Sequence, residues 1–102
     1  MPILVFVANT HDLKPGEMKK VVAGEQTLVL FNVDGSFYAL TDRCTHDEAS
    51  LSEGLFEDGV VECPKHGARF NVKTGKILSL PAVLPPQVYE VKIEGDQIFI
   101  EI

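Results

Sequence analysis

The sequence of 102 residues contains no tryptophan, only two cysteines and only three histidines. Two cysteines cannot form the set of disulfides that stabilises a small secreted domain. The longest purely apolar run, residues 3–8, is far shorter than the roughly 20 residues that span a bilayer. The N-terminus also lacks the basic segment of a signal peptide. These absences predict a cytoplasmic protein with no membrane partner, whose cysteines bind metal or take part in redox chemistry.

Positive charge is scarce, because nine lysines and arginines accompany fifteen aspartates and glutamates, for a formal net charge of −6. Nucleic acid is therefore not an expected partner. One segment, residues 42–62, carries this whole net charge and contains a single base, Arg43. Its acids are Asp42, Asp47, Glu48, Glu53, Glu57, Asp58 and Glu62. We call it the acidic stretch, and it is either a solvated face or a docking surface for a basic partner.

Short β-branched and aromatic runs alternate with turn signals along the chain, and no segment keeps a helical period over about ten residues. A helical turn is expected at most at residues 49–52. The predicted strands are Ile3–Val7, Met18–Val22, Thr27–Val33, Phe37–Leu40, Val60–Cys63, Arg69–Val72, Lys76–Leu80, Val88–Ile93 and Gln97–Ile102. In the last two, the alternating residues Tyr89, Val91, Ile93, Ile98, Ile100 and Ile102 predict a half-buried antiparallel hairpin. The fold class is all-β, a small sandwich or partly open barrel in one domain, residues 1–102.

Two short motifs contain both cysteines and two of the three histidines. The first is Cys44-Thr45-His46, and the second, sixteen residues later, is Cys63-Pro64-Lys65-His66. Zinc fingers usually pair cysteine with cysteine and histidine with histidine, whereas each motif here supplies one of each. A cluster with two inequivalent irons fits this pattern, with Cys44 and Cys63 on one iron and His46 and His66 on the other. A zinc-stabilised structural module remains the alternative, and a nucleophilic Cys63–His66 pair would leave the first motif unexplained.

The two motifs and their flanking segments resemble those of the Rieske-type [2Fe–2S] ferredoxins of bacterial aromatic ring-hydroxylating dioxygenase systems. The resemblance extends over most of the chain. Its further segments are Phe31–Gly35, Tyr38–Ala39, Leu51–Gly54, Arg69–Val72 and Thr74–Lys76.

The resemblance implies an antiparallel β-sandwich with a small two-loop cluster-binding subdomain at roughly residues 42–82. It implies one Rieske [2Fe–2S] cluster per chain, bound by Cys44, His46, Cys63 and His66, with both histidines toward solvent. The protein would be a monomeric electron carrier and not an enzyme. It would pass electrons from an NAD(P)H-dependent flavoprotein reductase to a terminal oxygenase in aromatic hydrocarbon catabolism. The alternative within this family is the small subunit of another reductase, such as nitrite reductase.

The resemblance also suggests a low reduction potential. High-potential Rieske proteins brace the two loops with a disulfide and place hydroxyl groups where this chain has Ala68 and Phe70. Fewer hydrogen bonds to the cluster sulfurs lower the potential, so we expect a value around −150 mV. Residues 81–86 are either a proline-rich loop over the cluster or an ordinary strand connection. His11, the one histidine outside the two motifs, is expected to be a solvated turn residue before Pro15 and Gly16. One histidine cannot build the two-histidine iron site of an oxygenase, so the chain is not expected to be the oxygenase itself.

Overall fold

The structure is a computed structural model that describes residues 3–42, 50–64, 67–79 and 86–102. Within these ranges no helix is long and apolar enough to cross a membrane. The described strands are β1 (Leu4–Asn9), β2 (Met18–Ala23), β3 (Gln26–Val33), β4 (Ser36–Thr41), β5 (Leu55–Glu57), β6 (Val60–Glu62), β7 (Arg69–Asn71), β8 (Ile77–Ser79), β9 (Val88–Glu94) and β10 (Gln97–Glu101). Two single-turn 3-10 helices, η1 (Thr10–Asp12) and η2 (Leu51–Glu53), accompany them. The all-β prediction is confirmed.

Six strands form one antiparallel sheet in the order β1-β10-β9-β4-β3-β2, which we call the base sheet. Its two outermost strands, β1 and β2, contact each other, so the sheet curls around an apolar interior. The other four described strands form a small antiparallel sheet in the order β5-β6-β7-β8. This arrangement confirms the predicted antiparallel sandwich with a smaller second part.

Strand β3 is apolar on both faces because it separates two cores. Leu28 and Leu30 belong to the base core, inside the curl of the base sheet, whereas Val29 and Phe31 belong to the loop-side core, under the small sheet. All four side chains have no exposed surface. A strand covered on both faces reads as a continuous apolar run and not as an alternation. The sequence of β3 has that form.

The predicted antiparallel C-terminal hairpin is confirmed, and in it Ile98 lies opposite Ile93 and Ile100 opposite Val91. Ile98 and Ile100 are fully buried in the base core. Ile93 and Ile102, which the alternation placed on the same buried face, are instead 46% and 40% exposed. Ile93 lies near the turn end of β9, beyond the residues that pair with β4, and Ile102 follows the end of β10.

Two local features differ from the sequence predictions. The helical turn expected at residues 49–52 is η2, Leu51–Glu53, since the buried Leu51 fixes its position in the loop-side core. Strand β5 was not predicted, because its three residues have no apolar alternation and Leu55 is 69% exposed. It forms by pairing with β6 across a turn in which Asp58 and Gly59 both have positive φ, 50° and 76°.

Candidate cluster-binding site

Of the four predicted ligands, Cys63 falls within the described residues. It directly follows β6, and its side chain is 1% exposed within the loop-side core. Cys44, His46 and His66 lie outside the described residues, as do residues 81–85 of the predicted proline-rich loop. Among the residues that are described, no three His, Cys, Asp or Glu side chains form a metal-binding group. The four-ligand set therefore stays a prediction.

The second motif begins in a turn that is closed by backbone hydrogen bonds. The Cys63 amide donates to the Ala68 carbonyl at 2.7 Å, and the Gly67 amide donates to the Cys63 carbonyl at 3.2 Å. Gly67 has a φ of 76°, which a residue with a Cβ rarely adopts. These contacts join Cys63, the first residue of the second motif, to the two residues that follow the motif, Gly67 and Ala68.

The first motif is preceded by a buried carboxylate. Asp42 is 7% exposed, and its amide donates to the Thr27 carbonyl at 3.0 Å. Its Oδ1 accepts from the Ser52 amide at 2.7 Å, and its Oδ2 accepts from the Ser52 hydroxyl at 2.9 Å. Asp42 and Ser52 lie on either side of the chain segment that contains Cys44 and His46. The two hydrogen bonds therefore join the residue before the first motif to η2, which follows it in the chain.

Neither partner of this contact was identified from the sequence. Asp42 belongs to the acidic stretch and Ser52 to the segment Leu51–Gly54, but neither pattern indicates that the two residues contact each other. The pairing connects residues ten positions apart, one directly after β4 and the other in η2, so no periodic pattern indicates it. The one available signal is an aspartate directly after a strand, where a side chain often bonds neighbouring backbone amides.

The described acids of the acidic stretch do not all lie on an exposed surface. Asp42 is buried and both of its carboxylate oxygens accept hydrogen bonds from Ser52, so this residue belongs neither to a solvated face nor to a docking surface. Glu57 and Asp58 lie at the turn end of β6, whereas Cys63 follows its other end. Glu62 is next to Cys63, and its Oε1 lies 3.9 Å from Nε of Arg69. Asp47 and Glu48 lie outside the described residues.

The residues after the second motif are apolar and fully buried. Ala68 and Phe70 have no exposed surface and pack with Cys63 in the loop-side core. Their side chains cannot donate hydrogen bonds to a cluster, which is consistent with the low potential predicted from the sequence. That potential stays a prediction.

His11 lies in η1, far along the chain from both motifs, and its side chain is 75% exposed. It is therefore a solvated turn residue, as predicted. The neighbouring Asp12 accepts a hydrogen bond from the Asn9 amide at 3.0 Å, and this bond lowers the pKa of the Asp12 carboxyl. Neither residue belongs to the candidate site.

Comparison with known proteins connects this geometry to a family. A family model described as Rieske [2Fe-2S] domain matches residues 3–95. The 3-phenylpropionate/cinnamic acid dioxygenase ferredoxin subunit of Escherichia coli is 46% identical over 99 residues, covering 96% of this chain and 92% of that protein. The biphenyl 2,3-dioxygenase ferredoxin component of Rhodococcus jostii is 42% identical over 99 residues, covering 97% and 92%.

A similar solved structure is a chain from the complex of reduced oxygenase and oxidized ferredoxin in carbazole 1,9a-dioxygenase. It has a TM-score of 0.91 and 39% sequence identity, covering 96% of this chain and 92% of that chain. Family, relatives and fold agree over nearly the whole length. The chain therefore belongs to the family of Rieske [2Fe–2S] domains, whose cofactor is a two-iron cluster bound by cysteine and histidine.

Proposed function

We propose that the chain carries single electrons from an NAD(P)H-dependent flavoprotein reductase to the terminal oxygenase of an aromatic ring-hydroxylating dioxygenase system. The observation that carries this proposal is the nearly full-length similarity to ferredoxin components of such systems, at 42% and 46% identity. The related carbazole 1,9a-dioxygenase ferredoxin was solved together with its oxygenase, which supports the oxygenase half. The reductase half rests on the chemistry, since a one-electron carrier needs a donor.

We further propose that Cys44 and Cys63 bind one iron of the cluster and His46 and His66 bind the other. This ligand set would lie in a subdomain at roughly residues 42–82. Support comes from Cys63, a soft thiolate donor at the end of a strand, in a turn whose ends are joined by hydrogen bonds. Two thiolates and two imidazoles from separate loops suit a Rieske cluster, which supplies reversible one-electron chemistry when bound.

The surroundings of Cys63 define what the protein itself contributes. The loop-side core keeps water away from the protein-facing side of the sulfur, with Ala68 and Phe70 packed in the same cluster of side chains. A low-dielectric, donor-poor environment disfavours the additional negative charge of the reduced cluster. The chain would therefore hold the cluster at a low potential, suited to passing electrons onward.

We place this carrier in the cytoplasm, as a monomer. Cysteine ligands must be thiols when the cluster is inserted, and the cytoplasm keeps thiols reduced. The proposed electron transfer to an oxygenase also needs the NAD(P)H-dependent reductase in the same compartment.

The first test is purification under air, followed by a visible spectrum and an EPR spectrum after dithionite reduction. We expect a brown protein whose reduced signal differs from that of all-cysteine clusters, because two histidines ligate one iron. A colourless protein with one zinc per chain would contradict the proposal and support the zinc-stabilised alternative.

The second test replaces the E. coli ferredoxin subunit with this chain in the reconstituted 3-phenylpropionate/cinnamic acid dioxygenase system. We expect hydroxylated product to form and to depend on the added chain. Cluster-loaded protein that the reductase reduces but that never supports product formation would contradict the oxygenase assignment and leave the cluster assignment intact.

A further inference from the structure

We infer that residues 52–54 form a brace that holds the two cluster-binding loops at a fixed separation, with Asp42 and Ser52 as positioning residues. The inference rests on the ligand set proposed above. It follows from contacts at the two ends of this three-residue segment, one toward each motif, and all of the residues that make these contacts are described.

The first contact joins the brace to the first motif. Ser52 presents its amide and its hydroxyl to the two oxygens of the same carboxylate, at 2.7 and 2.9 Å from Asp42. Asp42 is two residues before Cys44 and is 7% exposed. A carboxylate that accepts two hydrogen bonds away from water is held more firmly than an exposed one, because charge-assisted bonds are the stronger class.

The second contact joins the brace to the second motif. A Cβ at Gly54 would overlap the Glu62 carbonyl oxygen and would lie 3.2 Å from Cδ of Pro64. These two residues flank Cys63 on either side. Gly54 has a φ of −88°, which residues with a side chain also adopt. Glycine is therefore needed at this position for the close approach and not for the backbone conformation. Only a residue without a side chain lets the brace lie directly against the chain that carries Cys63.

The brace is itself anchored in the protein. Leu51, just before it, is fully buried in the loop-side core that also contains Cys63. The Gly54 amide donates to the Leu51 carbonyl at 3.0 Å. Strand β5 follows directly and pairs with β6, with Leu55 opposite Glu62. The segment is thus fixed by packing on one side and by strand pairing on the other.

This chain has no cysteines beyond the two proposed ligands, so no disulfide can connect the loops. The path from Asp42 through Ser52 and Gly54 to Glu62 supplies a noncovalent connection instead. If it fixes the distance between the two ligand pairs, loosening it should speed the release of iron without unfolding the base sheet.

The test compares four variants of the cluster-loaded protein. Ser52→Ala removes the hydroxyl, Ser52→Thr keeps it, and Gly54→Ala adds the Cβ that Glu62 excludes. Ser36→Ala is the matched control, since Ser36 is exposed at the start of β4 in the base sheet. The measurements are the rate at which an iron chelator bleaches the visible spectrum and the line width of the reduced EPR signal.

We expect Ser52→Ala to raise the bleaching rate by about tenfold and to broaden the EPR signal, since one bond to a buried carboxylate is lost. Ser52→Thr should have a near wild-type bleaching rate, and Ser36→Ala should change neither readout. Gly54→Ala should bleach faster than Ser52→Ala. Wild-type rates and line widths in both Ser52→Ala and Gly54→Ala would overturn the brace. A wild-type protein without any cluster would instead overturn the ligand set, and the brace with it.

Discussion

The base sheet and the small sheet differ in how each is stabilised. Described strands of the base sheet have five to eight residues, whereas β5 to β8 have three residues each. The base core consists mainly of strand residues. The loop-side core instead includes Leu51, Cys63, Ala68 and Val72, which lie outside the strands. Its integrity should therefore depend on the cluster and the brace, because three-residue strands contribute few hydrogen bonds of their own.

The largest expected effect is that of Cys63→Ser, which should remove the cluster and leave the base sheet folded. A serine hydroxyl does not replace a soft thiolate as an iron ligand. We expect the visible absorbance to vanish while backbone amides of β3 and β10 keep their protection from hydrogen exchange. His11→Ala is the control and should change neither readout. Full absorbance in Cys63→Ser would show that the proposed ligand set is wrong.

The next largest effect is expected from large-to-small substitutions, one in each core, which compare how the two cores contribute to stability. Phe70→Ala in the loop-side core should lower the free energy of unfolding by about 3–5 kcal/mol, and Ile100→Ala in the base core by about 2–5 kcal/mol. For Phe70→Ala we expect the visible absorbance to disappear at a lower urea concentration than the far-UV circular dichroism signal. Ile100→Ala should lose both signals together, because the loop-side core packs on the base sheet. Coincident transitions in Phe70→Ala would mean that both halves unfold as one unit.

A smaller effect concerns the donor-poor surroundings of Cys63. Ala68→Ser would place a hydroxyl in the loop-side core, the same cluster of side chains that contains Cys63. A hydrogen bond that is about 1 kcal/mol stronger in the reduced state raises a one-electron potential by roughly 40 mV. We expect a shift of this size and sign by redox titration. The control is Ala39→Ser, a buried position of the base core, which should leave the potential unchanged. A shift to lower potential would contradict the argument.

Charge at the two ends of the small sheet gives a more subtle comparison. Glu62 adjoins Cys63, whereas Glu57 lies at the other end of β5 and β6. Salt should slow electron transfer if a basic partner docks near the cluster. We then expect the rate of Glu62→Gln to depend less on salt than the wild-type rate, and the salt dependence of Glu57→Gln to stay closer to wild type. The measurement is the reduction rate by the partner reductase across a salt series. If the reduction rates of both variants depend equally on salt, Glu62 does not attract the partner to the neighbourhood of the cluster.

The base sheet and the small sheet also differ in how well their strands could be predicted from the sequence. The C-terminal hairpin of the base sheet was predictable because Tyr89, Val91, Ile98 and Ile100 alternate along it, and the predicted bounds of its strands lie within one residue of those observed. In the small sheet, the predicted bounds of β6 and β7 are equally close. Strand β5 was missed, since it has no alternation and forms through its pairing with β6. The four candidate ligands were predicted from residue type and spacing alone, because the chemistry of a thiolate or an imidazole does not depend on periodicity.

The brace was not predictable for a different physical reason. The Asp42–Ser52 contact depends on a tertiary approach between η2 and the end of β4. The need for glycine at position 54 appears only once Glu62 lies against it. Neither a propensity nor a period encodes such a contact. Buried polar contacts outside regular elements are thus the part of this site for which a structure is required.

The smallest expected effect lies on the outer face of the base sheet, where Glu101 stands opposite Glu90 and Lys92 Nζ lies 2.9 Å from Oε1 of Glu90. A hydrogen bond shared with Glu90 raises the pKa of Glu101, while the bond from Lys92 lowers the pKa of Glu90. A carboxyl whose pKa is raised on folding binds its proton more tightly in the native state. The stability it contributes is therefore lost as the pH rises through that raised pKa.

Glu101→Gln should remove this part of the pH dependence, because an amide can donate to Glu90 at every pH. The measurement is the urea midpoint from about pH 4 to 7. Glu94→Gln, in the same hairpin but at its turn end, is the control and should keep the wild-type profile. Since the proposed ligand Cys63 lies in the loop-side core and not in the base core, the visible spectrum should stay constant in both variants. A change in the spectrum of Glu101→Gln would show that the base sheet and the loop-side core are coupled more closely than their separate packing indicates.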